Sequence, residues 1–144
     1  MKFLSRTLAF LVTLAAALSL AACGGSAPAT LADIPTFPDS TALQPGQSQI
    51  ADTLAQNVKQ AGAMGAKLDQ KIFTLPAETG WDKVKGFYGD KLGAAGWSTS
   101  NLPIPDNDMF KMSVWTRGGQ SLTVAELIDP SSKDSFLLFS LTSQ

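Results

Sequence analysis

The side chains that could carry chemistry in this chain are few: one cysteine, Cys23, no histidine, and two glutamates, Glu78 and Glu126. Without imidazole there is no Ser-His-Asp or Cys-His nucleophile system and no His-ligated zinc or iron. Acid–base work would fall to carboxylates. Glu126 interrupts the apolar run Leu122–Ile128, which makes it a candidate for a half-buried acid with a raised pKa. A glycosidase-type pair needs two carboxyls roughly 5–10 Å apart across a cleft, and chain spacing does not supply that. The structural alternative is a strand residue facing solvent.

Asp106-Asn107-Asp108 offers oxygen donors at alternate positions, as calcium loops do. Phe110 stands where the next ligand belongs, and neither the central glycine nor the closing glutamate follows. A solvated turn accounts for the same residues. Arg117 beside Trp115 offers a cation and an aromatic ring to an anion or a sugar. Trp115 falls on the less apolar side of its strand, so its ring is expected at an exposed binding surface. Gly118-Gly119 is too short to cradle a phosphate and reads as a hairpin corner. Trp115 and Arg117 are therefore the candidate binding residues, and no catalytic residue, metal ligand or cofactor is assigned.

The elements that must position these residues follow from periodicity. A helix is expected from Ser48, whose hydroxyl can cap it, with Ile50, Leu54, Ala61, Met64 and Leu68 as its apolar stripe. Lys71–Leu75 reads as a short strand stopped by Pro76. A second helix follows: Thr79 and Asp82 form a relaxed capping box, Trp81, Val84, Tyr88 and Leu92 share a face, and Gly96 ends it. Its other face carries Gly86, Gly89 and Gly93, which suggests close approach by another backbone. From Trp97 the period becomes two, with strands at 97–102, 109–116, 121–128 and 135–141. These elements predict an α+β domain over 39–144, an antiparallel sheet of about four strands packed on one face by two helices.

Upstream of the domain, Lys2 and Arg6 precede an apolar run from Leu8 to Leu20, and Leu20-Ala21-Ala22-Cys23 follows at once. Basic start, short apolar core and small residues are the layout of a secretory signal, and the run is short for a bilayer crossing of about 20 residues. Leu-Ala-Ala-Cys resembles the lipobox of bacterial lipoproteins. The resemblance implies a signal peptide over 1–22, cleavage before Cys23, and a diacylglycerol on the Cys23 sulfur. It places the protein on the cell membrane or outer membrane, held by lipid and facing the extracytoplasmic side. Residues 23–38 are small and prolyl, and are expected to be a flexible tether that lifts the domain off the bilayer.

Loss of residues 1–22 would leave 122 residues and remove Lys2 and Arg6 but no acid, moving the net charge from −1 to −3. A mildly acidic domain with scattered lysines suits no nucleic acid. With Cys23 acylated, the domain has no thiol for disulfides, catalysis or metal. The expected function is a non-enzymatic binding or interaction module. Its partners would be the membrane, through the N-terminal lipid, and an envelope protein or polymer. The alternative is a small-ligand or ion-binding lipoprotein, such as a transporter accessory subunit.

Overall fold

The structure, a computed structural model, describes residues 27–62, 66–101 and 107–143. Residues 1–22, expected to be a signal peptide, and Cys23 lie outside the described residues, as do Met64, Leu102 and Asp106 of the sequence expectations. Among the described residues no helix is long and apolar enough to cross a membrane.

Among the described residues six strands form one antiparallel sheet: β1 (Thr41–Leu43), β2 (Lys67–Thr74), β3 (Ser98–Thr99), β4 (Phe110–Arg117), β5 (Gln120–Ile128) and β6 (Ser135–Ser143). Their spatial order is β1-β2-β6-β5-β4-β3. Helix α1 (Gln49–Gly62) joins β1 to β2, and helix α2 (Trp81–Ala94) joins β2 to β3. The α+β class is as expected, while the strand number is six rather than about four. β1, three residues long, is too short to register as a periodic run, and the strand expected over 97–102 is found at Ser98–Thr99. β2 also begins earlier than expected, so Leu68 lies in a strand and not on the first helix.

The placement of the helices is a second correction, because they cover opposite faces. Directly paired residues share a face, so the register puts Phe73, Leu137, Glu126 and Lys111 in one row and their neighbours on the other side. Trp81, Val84, Tyr88 and Leu92 of α2 join Phe73, Trp115, Leu122, Val124, Leu137, Phe139 and Leu141 in the main core. On the other face, α1 packs against β2 and β6, and the Gln70 side chain donates to the Ala55 carbonyl at 3.1 Å. Two packed faces are what a nine-residue β6 with buried residues from Phe136 to Leu141 requires.

Local chemistry accounts for the ends. The Ser48 hydroxyl accepts from the Ala51 N–H at 3.3 Å and so caps α1. Gly80 sits at the start of α2 with no side-chain cap, so the capping box at Thr79 is not formed. Gly118 and Gly119 have φ of +53° and +79°, the two positive values that a two-residue hairpin turn demands between Arg117 and Gln120.

The sheet has two distinguishable ends. Lys67, Ser143, Gln120 and Arg117 define the hairpin end, and Thr74, Phe136, Leu127 and Phe110 the far end. Both helices run from the far end towards the hairpin end: Thr74 leads into α2, which returns through Trp97 to Ser98 opposite Thr116. Ser48 and Gln49 at the start of α1 share a surface hollow with Asp129 and Ser131 in the β5–β6 turn.

Candidate functional site

Of the segment 23–38 expected to be a free tether, the part from Ala27 onward is docked, which corrects that reading for 27–38; residues 23–26 lie outside the described residues. Ala29 and Ile34 are 7% exposed and belong to the main core, with Leu31 and Phe37 packed against it. Apolar residues at 31, 34 and 37 recur every third position, a signal that the small and prolyl composition masked. The polar partner is Gln120. Its Oε1 accepts from the Ala29 N–H at 2.7 Å, and its Nε2 donates to the Ala29 carbonyl at 2.9 Å and to Ser143 Oγ at 3.2 Å. A buried amide that pairs with both backbone groups of one residue acts as a clamp on this strap. No feature of the sequence marks Gln120 for that role. Higher up, the Tyr88 hydroxyl donates to the Pro35 carbonyl at 3.1 Å, and burial pushes its pKa well above the usual phenol range.

Arg117 closes the same end. Its guanidinium donates to the Ala95 carbonyl at 3.1 Å and the Ala27 carbonyl at 3.3 Å, and lies 5.1 Å from the centre of the Trp97 ring. It thus ties the strap, the end of α2 and the hairpin together, using two of five N–H donors. Among the described residues no carboxylate stands within 4.0 Å of it. Asp33 is the nearest acid in effect: hydrogen bonds from Thr30 hold its carboxyl below the usual range, with the Arg117 charge adding to them. Arg117, Gly96, Ser98, Thr116, Gly118 and Gly119 line an open hollow of about 460 Å³.

Trp115 does not share this surface. It is 2% exposed, inside the main core, and its indole Nε1 has no partner among the described residues. The expectation of an exposed ring is overturned for a definite reason. Lys111 and Ser113 made that side of β4 look solvated, yet it is the side α2 covers, and Ser113 is 7% exposed. The ring supporting Arg117 is Trp97, across the β3–β4 pair.

Glu126 lies on the same covered face and is 2% exposed. Its Oε1 has no hydrogen-bond partner among the described residues. Burial pushes its pKa up, and the charge of Lys111, directly opposite in the register, offsets this only in part. The raised acid anticipated in the sequence is thus present, buried more deeply than expected and opening on none of the three surface hollows described. The Asn107 side chain accepts from the N–H groups of Met109 and Phe110 at 2.9 and 2.8 Å. Its oxygen is committed to a turn, and no group of three metal-ligating side chains occurs among the described residues.

Comparison of the chain with protein-family models, curated proteins and solved structures returns no match.

Proposed function

We propose that this is a lipid-anchored cell-envelope protein, acylated on Cys23, whose α+β domain is a non-enzymatic binding module on the extracytoplasmic side. One observation carries the reading: the first described residue fixed to the domain, Ala27, comes four positions after the lipobox-like cysteine. A cut before Cys23 removes none of the described packing, and Ala27 is held at the hairpin end. Signal and fold are thus compatible at a single junction. Glu126, the acid whose sequence context best suits catalysis, is enclosed, which supports binding over turnover. The hollow beside Arg117 falls within the size of small-ligand sites, about 300–1,000 Å³. That favours, as the second reading, a small-anion-binding lipoprotein.

The test is mass spectrometry of the N-terminal peptide from native membranes, with fractionation of Cys23→Ser. A diacylglycerol-modified Cys23 and release of the variant from membranes are expected. An unmodified, full-length chain in the cytosol overturns the anchor.

A further inference from the structure

The docked strap changes how far the domain can stand from a bilayer. Only Gly24, Gly25 and Ser26 separate Cys23 from Ala27. Whatever their path, four Cα-to-Cα steps span at most about 14 Å. Ala27 is held at the hairpin end by Arg117, and Ala29 by Gln120. The sheet itself, with nine residues in β6, is roughly 30 Å long at about 3.4 Å per residue. A lipid on Cys23 therefore reaches the hairpin end and cannot serve the far end.

Charge is distributed along the same axis. The far end carries Asp39, Asp52, Glu78, Asp82, Asp108, Asp129 and Asp134, against Lys83, Lys111 and Lys133. The hairpin end carries Arg117, with Lys59 and Lys91 in the last turns of α1 and α2. Lys67 is there too, paired with Asp69 at 3.6 Å, and Asp33 and Asp90 are the other acids nearby. An anionic leaflet attracts juxtamembrane lysines and arginines and repels the acidic end, within a Debye length of its surface.

Resting on the anchor reading above, we infer that the hairpin end is a membrane-docking surface. Its occupant is the anionic phospholipid headgroup layer of the leaflet that holds Cys23. Arg117 and the open hollow beside it face headgroup phosphates, and the acidic end points away into the surrounding space. The partner-binding surface of the anchored protein is then the far end and the two sheet flanks, not the Arg117 hollow.

The experiment uses the full acylated chain in vesicles of phosphatidylcholine with or without phosphatidylglycerol. With Cys23 occupied by lipid, a single added cysteine is the only thiol, so a fluorophore can be placed at Ser98→Cys on the hairpin end or Ser131→Cys on the far end. Both serines are exposed. Quenching by headgroup-nitroxide lipid is expected to be several-fold stronger at position 98 than at 131. Equal or reversed quenching, in a chain whose Cys23 is shown by mass to be acylated, overturns the docking surface and leaves the anchor standing. An unacylated Cys23 overturns both.

A second variant, with about ten Gly/Ser residues inserted between Ser26 and Ala27, separates tether from charge. Its quenching at position 98 is expected to fall several-fold on pure phosphatidylcholine and to be retained when phosphatidylglycerol is present. Equal loss on both vesicles overturns the anionic-headgroup assignment.

Discussion

The two faces of the sheet are finished with different materials. Over one, α2 and the strap contribute large rings: Phe37, Phe87, Tyr88, Phe139 and Phe73 form an unbroken edge-to-face chain with centroids 5.0 to 5.4 Å apart. It runs from the strap through α2 and β6 to β2, so aromatic contacts couple four parts of the chain. Over the other, α1 contributes Ala51, at 0% exposure, while Ile50, Leu54 and Val58 are half-buried. Beyond α1, Phe110, Met112 and Leu127 on this face are also half-buried. Edge-to-face pairs add about 0.5–1.5 kcal/mol each beyond burial. The comparison teaches that α2 and the strap bring large rings to their face, whereas on the other the large buried residues, Phe136 and Leu138, come from β6 and α1 adds the small Ala51.

Truncation at the middle of the ring chain is the strongest way to break this contrast. Phe139→Ala removes two ring contacts and leaves a cavity in the main core, and is expected to cost about 3–5 kcal/mol in unfolding free energy by denaturant titration. A cost similar to a half-buried residue of α1, such as Val58→Ala, would show that the faces do not differ.

Next in size is the strap. Gln120→Ala strands the N–H and carbonyl of Ala29, and is expected to cost about 2–3 kcal/mol. It should speed hydrogen exchange at Ala29 well beyond that of the ring chain. Uniform exchange across both regions would mean that the strap unfolds only with the domain.

On the α1 face the contrast predicts the opposite response to added bulk. Ala51→Leu increases apolar surface yet forces α1 off β2 and β6, and is expected to destabilise by about 1–3 kcal/mol. A stabilised protein would show that the helix has room to spare.

How much of this was legible in the sequence depends on whether a residue's neighbours reported its surroundings. Trp81, Val84, Tyr88 and Leu92 announce the buried face of α2 because a helix with one wet side keeps period 3.6. Gly118-Gly119 announces the hairpin because few other pairs adopt positive φ twice. Trp115 was misjudged because Lys111 and Ser113 made its side of β4 look wet, whereas that is the side α2 covers. The Ala29–Gln120 clamp joins residues 91 apart through backbone groups that every residue possesses, so no local pattern could announce it. At the candidate site, Arg117 was legible and its partners Trp97, Ala27 and Ala95 were not.

Glu126 adds a pH dependence to the α2 face. Burial raises its pKa above the ordinary 4.5, so the unfolded chain releases this proton first as pH rises. Between the unfolded and folded pKa values the folded state binds more protons, and stability falls with rising pH, then levels off above the folded pKa. Each unit of separation is worth about 1.4 kcal/mol. Glu126→Gln is expected to flatten that decline in pH-dependent urea titrations, and an unchanged slope would assign the decline to other groups.

The smallest effect expected lies on the outer side of α2, where Gly86, Gly89 and Gly93 suggested a close backbone neighbour. The structure removes that explanation: a Cβ built at each of the three meets nothing within 4 Å. All three are exposed in helical backbone, and none needs positive φ. The glycines therefore only loosen the helix, and Gly89→Ala should stabilise by about 0.5–1 kcal/mol. That gain would reach the ring chain through Tyr88, one residue away, without altering a contact. A loss of stability in Gly89→Ala would instead show that a surface packs there, and α2 would then have a second covered side.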